Sequence, residues 1–173
     1  MLYFIYKEKK GMIPVKPTLY ILCGIPGCGK SYFAQKFVGF NRVWISRDLF
    51  RFNLVKEDED YFSHENEVFR VFIEAIVSQL KNGVDVIADA THLNIKSRKK
   101  LTNAIDKYYN DYNIIYVVFD VPMEVILKQN AQREGRARVP ESAIHRMNAS
   151  YYKPVEEDAR AIACWTIERG GKT

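Results

Sequence analysis

Eight consecutive residues, Gly24-Ile25-Pro26-Gly27-Cys28-Gly29-Lys30-Ser31, carry the spacing G-x-x-x-x-G-K-[ST]. Each residue type has a use against a chain of phosphates. Glycines let the backbone wrap an anion so that successive N–H groups point at it, and a helix starting there adds the positive end of its dipole. Lys30 supplies a point charge for the terminal phosphates, and the Ser31 hydroxyl supplies a magnesium ligand. The whole loop from Gly24 to Ser31 is therefore expected to bind ATP and Mg²⁺, with Lys30 also serving the chemistry.

A phosphate cradle does not say where the phosphoryl group goes, so the residues beyond it matter. Asp48 and Arg51 stand three apart in Trp44-Ile-Ser-Arg-Asp48-Leu-Phe-Arg51, a spacing that turns both to one face of a helix. A carboxylate there can take the proton of an attacking hydroxyl, and a guanidinium can grip a phosphate on the same acceptor. The plainer reading, an N-cap and a surface cation, stands beside it. Asp89 closes an apolar run and is followed by Ala90-Thr91-His92-Leu93-Asn94; it can hold Mg²⁺ or its waters, position the acceptor, or cap a turn. His92 is read as a hydrogen-bonded loop histidine without a catalytic role. Arg133, Arg136 and Arg138 lie in the Gly-containing stretch Arg133-Glu-Gly-Arg136-Ala-Arg138-Val-Pro140. Three arginines there suit a flap that closes over ATP and stabilises charge on the transferring group better than they suit one helix C-terminus.

The elements that must position these residues follow from hydrophobic spacing. Thr18 to Cys23 is an almost wholly apolar run ending at glycine, the mark of a strand buried on both faces. Similar runs at Val43–Ser46, Val84–Ala88, Asn113–Phe119 and Ala161–Ile167 predict five strands in all. Helical patterns fall between them, at Lys30–Val38, Asp48–Leu54, Tyr61–Asn82, Ile95–Tyr109, Pro122–Glu134 and Pro140–Tyr151. In the longest, Val68, Phe69, Phe72, Ile76 and Leu80 form a core stripe, and Gly83 sits where a left-handed C-cap belongs. Pro122 and Pro140 suit first turns. Alternating strands and helices predict an α/β fold with a mainly parallel sheet. Glu57-Asp-Glu-Asp60 reads as a solvated turn, and Lys96-Ser-Arg-Lys-Lys100 as the wet face of a helix, with the tracking of a nucleic-acid backbone as its alternative.

The chain has 173 residues, 47% hydrophobic and 13% aromatic, enough for one sizeable core and unlike a disordered chain or a fibre. A single domain spanning residues 1–173 is expected. The apolar stretch Leu2–Tyr6 before Lys7-Glu-Lys-Lys10 is too short for a signal peptide, and Met12 as a start would make residues 1–11 a dispensable leader. No run approaches the length of a membrane span. Three cysteines, Cys23, Cys28 and Cys164, without C-x-x-C spacing suit buried thiols in a reducing cytoplasm. Net charge is +5, and residues 91–153 hold 11 Lys/Arg against 6 Asp/Glu while the remainder balances at 15 against 15. That distribution points to a polyanionic partner.

Over residues 17–153 these features together resemble the P-loop kinases of the polynucleotide 5′-kinase group, the kinase module of phage and bacterial end-healing enzymes. The resemblance rests on the G-x-P-G-x-G-K-S loop, Ser46-Arg-Asp48-x-x-Arg51, Asp89-Ala-Thr91-x-x-Asn94, and Val118-Phe-Asp-Val-Pro122 with Lys128-x-Asn130 and Arg133 leading to Val139-Pro140. It implies a three-layer α/β/α P-loop NTPase fold with the P-loop strand near the sheet centre and a helical arginine lid. By the same resemblance Lys30 and Ser31 serve ATP and magnesium, Asp48 is the general base and Arg51 holds the acceptor's 3′ phosphate. Asp89 and Thr91 line the acceptor side, and Arg133, with Arg136 and Arg138, acts on the ATP phosphates. Cys28 replaces a common serine and His92 a common asparagine. A D-x-D-x-T phosphatase signature does not occur. The expected reaction is phosphorylation of the 5′-hydroxyl end of DNA or RNA. Two other readings stand beside it: a zeta-toxin-like kinase of a metabolite, antibiotic or nucleotide sugar, and a nucleotide-dependent binding or switch ATPase.

Overall fold

A computed structural model of the chain describes residues 3–8, 16–155 and 158–168. Its centre is strand β2 (Thr18–Cys23), every residue of which is buried. Successive side chains of a strand point to opposite faces, and here both faces are covered. Leu19, Ile21 and Cys23 pack with Phe72, Ile76 and Leu80 of helix α3 (Glu65–Lys81) and Leu101 and Ile105 of α4 (Ile95–Asp106). Tyr20 and Leu22 face the other way, towards Phe33 of α1 (Lys30–Phe37), Ile126 of α5 (Met123–Ala131) and Ile144 of α6 (Glu141–Ala149). Two apolar clusters on opposite sides of one sheet make three layers.

The sheet runs in the order β1-β6-β5-β2-β4-β3, with β3 at Arg42–Ser46, β4 at Asp85–Asp89, β5 at Asn113–Asp120 and β6 at Ala161–Glu168. These four are the remaining strands read from the sequence, each within one residue of its expected ends, and with β2 they are parallel to one another. The sixth strand, β1 (Tyr3–Glu8), was not expected. It pairs antiparallel with β6, from Tyr3 opposite Glu168 to Glu8 opposite Ala163, and its four apolar residues followed by Lys7 and Glu8 are too short a run to distinguish a strand from a leader. Residues 1, 2 and 9–11 of that expected leader, and Met12, lie outside the described residues.

Helix ends show why the boundaries fall where they do. Asp60 caps the Phe62 N–H at 2.9 Å and the Asp60 carbonyl accepts from Ser63 at 3.0 Å, so a turn occupies the stretch read as the first turn of α3. At its other end, Gly83 N–H bonds Leu80 O and Val84 N–H bonds Gln79 O, both at 3.0 Å, the paired closure expected at that glycine. Asn94 accepts from Ser97 N–H at 3.0 Å and Ser97 Oγ accepts from Asn94 N–H at 3.1 Å, a capping box on α4. Arg98 corrects the wet-face reading of this helix. Lys96, Lys99 and Lys100 are exposed, but Arg98 lies one turn before the buried Leu101 and Thr102. It is itself buried, donating from Nη1 to the carbonyls of His92 and Tyr152 at 2.9 Å each. Among the described residues no helix is long and apolar enough to cross a membrane, and Cys23, Cys28 and Cys164 form no disulfide.

Candidate functional site

Because β2, β3 and β4 are parallel neighbours, their carboxyl ends open on one edge, where doubly wound sheets bind ligands. The loop Gly24–Ser31 leaves the end of β2, Asp48 lies two residues past the end of β3, and Asp89 is the last residue of β4. Ser46 and Asp89 face each other across the β3/β4 pairing.

The loop is held tightly. Gly27 has φ 89, and a Cβ there would sit 2.9 Å from the Ile126 carbonyl oxygen and 3.2 Å from its side chain, so both conformation and space require glycine. Gly24 N–H donates to the Thr91 carbonyl at 3.0 Å, which places Thr91 as a backbone support of the loop. Lys30 is buried and its Nζ donates to the Gly24 and Ile25 carbonyls at 2.9 Å each, inside the curve of the loop. The buried Cys28 lies 3.7 Å from that ammonium. Burial keeps its thiol protonated, pushing its pKa up.

Asp89 is the focus of the magnesium side. Its Oδ2 accepts from Ser31 Oγ at 2.8 Å and from Trp44 Nε1 at 3.1 Å. Burial raises its pKa above the usual carboxylate range, Lys30 and the two donors pull it back, and the charge of Asp48 adds to the rise. The two carboxylates, the loop lysine and Ser31 therefore share one electrostatic site. Among the described residues no cluster of three or more His, Cys, Asp or Glu side chains could hold a metal alone. A hydroxyl and one carboxylate beside a phosphate cradle fit magnesium, which keeps waters and takes phosphate oxygens in place of an all-protein cage.

On the acceptor side, α2 (Arg47–Leu54) turns Asp48 and Arg51 together, as their spacing requires. The Asp48 side chain is 64% exposed and that of Arg51 7%. Arg51 Nη1 donates to Asp48 Oδ1 and to Tyr61 Oη at 3.3 Å, and its Nε and Nη2 donate to Glu65 Oε2 at 3.3 and 2.7 Å. Tyr61 in turn donates to Asp48 Oδ1 at 3.3 Å. Glu65 also accepts from Arg47 Nη2. Burial opposes the charge on Arg51, but its bonds to Glu65 and Tyr61 outweigh that and hold its pKa above the ordinary arginine value. All three nitrogens of this guanidinium are thus engaged by protein groups, and the residue expected to grip an acceptor phosphate also bonds Asp48.

A flap stands where the lid is expected, and its arginines part company. Asn130, buried, donates to the Val139 carbonyl at 2.7 Å and accepts from Val139 N–H at 3.0 Å, closing residues 130–139 into a flap. Arg133 Nη1 donates to the flap's own Ala137 carbonyl at 3.3 Å, and Arg138 is exposed. Arg136, read as an ATP contact, points to α2: Nη1 donates to the Val55 carbonyl at 2.9 Å and the guanidinium lies over Tyr61 and Phe52, 5.5 and 5.8 Å from their centroids. Gly135, at φ 53, makes the turn that aims it there. Trp44, Tyr61, Glu65 and Asn130 escaped the sequence reading as site residues. Asn130 entered only through the resemblance, and Glu65, in the first turn of α3, looks like an ordinary helix-start acid.

Residues 19–154 match the family model AAA_33, described as an AAA domain. Curated relatives include a protein of Autographa californica nuclear polyhedrosis virus assigned as a bifunctional polynucleotide kinase/RNA ligase, 25% identical over 88% of this chain and 24% of the relative. The L-seryl-tRNA(Sec) kinase of Methanococcus maripaludis is 27% identical over 79% of this chain and 53% of its own length. Among solved structures, a chain of the Pnkp1/Rnl/Hen1 RNA repair complex superposes with a TM-score of 0.69 at 29% identity, over 82% of this chain and 46% of that one. The chain thus spans between a quarter and about half of the length of the relatives it matches.

Proposed function

Since the chain belongs to the AAA_33 family of AAA domains, we propose that it transfers the terminal phosphoryl group of ATP to a hydroxyl, the 5′-hydroxyl end of a DNA or RNA strand. The observation that carries this reading is the clamped Asp48: an exposed carboxylate, fixed by Arg51 and Tyr61, at the same sheet edge as the Lys30 loop. A carboxylate fixed there and open to the solvent side can take the proton of an incoming hydroxyl, which is what a hydroxyl acceptor needs. The relatives named polynucleotide kinase and tRNA kinase support the same acceptor chemistry.

In the reaction the acceptor oxygen forms a bond to the γ-phosphorus while the bond from that phosphorus to the β,γ-bridging oxygen breaks. The hydroxyl proton passes to Asp48 Oδ2, the oxygen that none of its described bonds uses. Lys30 neutralises charge on the phosphates, and the backbone N–H groups of residues 24–31 orient them. Ser31 and Asp89 would hold magnesium, which when bound screens the β- and γ-oxygens. Arg133 is the lid arginine for the phosphates, with Arg138 beside it. Transfer of labelled phosphate from ATP to 5′-hydroxyl oligonucleotides, run against a panel of nucleosides, sugars and antibiotics, tests the assignment. Labelling of the oligonucleotide 5′ ends is expected; labelling of a small molecule alone would refute it.

A further inference from the structure

Resting on the kinase reading above, we infer that the cleft between the end of α2 and the flap is the subsite for the second nucleotide of the acceptor strand, with Phe52 as the stacking platform and Arg136 as the phosphate ligand. The cleft has a volume of about 640 Å³ and is bounded by Phe52, Val55 and Lys56 on one wall and Gly135, Arg136 and Ala137 on the other. It is large enough for a nucleotide and too open for a buried metabolite. Its position follows from the catalytic pair. Phe52 succeeds Arg51 on α2, and Arg136 lies over the ring of Tyr61, whose hydroxyl bonds both Asp48 and Arg51. A strand whose 5′ end reaches Asp48 is therefore led into this cleft by its next phosphate.

The chemistry of the walls selects the occupant. Phe52 is 38% exposed, an aromatic face turned to solvent beside a cation, and nucleobases stack on such faces without regard to sequence. Arg136 donates from Nη1 to Val55 O, but its Nη2 is buried without a hydrogen-bond partner. Leaving such a donor unsatisfied is costly, and a phosphate oxygen would satisfy it with a charge-assisted bond. Lys56 adds a second positive charge at the wall against the single acid Glu57. Arg51, by contrast, bonds Asp48, Tyr61 and Glu65 through all three of its nitrogens, and of the buried unpaired donors near α2, Arg47 Nε and Arg136 Nη2, it is Arg136 that lines this cleft.

The test compares kcat/KM for a nucleoside 3′-monophosphate and for a 5′-hydroxyl dinucleotide, in the parent, Phe52→Ala, Phe52→Trp and Arg136→Met. The parent should prefer the dinucleotide by roughly tenfold or more. Phe52→Ala should narrow that preference mainly by raising KM for the dinucleotide, Phe52→Trp should keep it, and Arg136→Met should raise KM for both acceptors, since both carry the phosphate it would hold. Equal use of the two acceptors by the parent, or equal loss on both in Phe52→Ala, would overturn the subsite while leaving the kinase reading intact. Transfer to a small molecule and to neither nucleotide would overturn both.

Discussion

Arg51 and Glu65 illustrate how a site can be spelled out in residue types and still hide its wiring. The i, i+3 spacing of Asp48 and Arg51 correctly placed them on one face, because helix geometry alone decides that. Which partner the guanidinium would choose depends on Glu65 and Tyr61, which approach from a different helix and turn, and local spacing carries no information about them. The loop is the opposite case: its eight residues define their own geometry, so Lys30 was legible outright. Lys30→Ala should abolish phosphoryl transfer and leave the fold intact, because the lysine bonds loop carbonyls rather than packing in either apolar cluster. Circular dichroism and transfer measured on the same preparation check this; a folded, active variant would contradict the role.

At the scale of elements, periodicity located all five parallel strands and the six α-helices because each buries one stripe or two faces. It missed the flap's mechanism. Asn130 clips the flap through both polar groups of Val139, a bond pair nine residues apart that no periodic pattern announces. It also missed that Arg136 would point to α2, since the aim of a side chain after a tight turn depends on the tertiary neighbours Val55, Phe52 and Tyr61. Asn130→Ala leaves a backbone N–H and a carbonyl of Val139 without their partner, a local cost of about 1–3 kcal/mol. Hydrogen exchange should quicken across residues 133–139 while β2 and β5 stay protected. Unchanged exchange in the flap would show that other contacts hold it.

For the molecule as a whole, stability is tied to pH through His92, which follows Thr91, whose carbonyl bonds the phosphate loop at Gly24. Its Nδ1 meets the Leu22 carbonyl at 2.9 Å, and burial pushes its pKa down to about 4, with Arg47, Lys30 and Arg98 adding to the fall. The folded chain thus resists a proton that the unfolded chain accepts near 6.5. Stability should be full above that value and decline on acidification towards 4, by about 1.4 kcal/mol per pH unit. Asparagine tolerates the positive φ of 42 found here. Urea unfolding of parent and His92→Asn at pH 7 and 5 should show the acid loss shrinking by up to about 2 kcal/mol in the variant; equal losses would place the sensitivity elsewhere. The central claim, that the whole fold presents Asp48 to an acceptor hydroxyl, is tested most directly by the single-turnover rate of transfer from ATP to a 5′-hydroxyl oligonucleotide, parent against Asp48→Asn. With the proton acceptor removed and the shape kept, that rate should fall about 10²-fold or more while ATP affinity holds. A rate equal to the parent's, or a loss confined to ATP binding, would contradict the assignment.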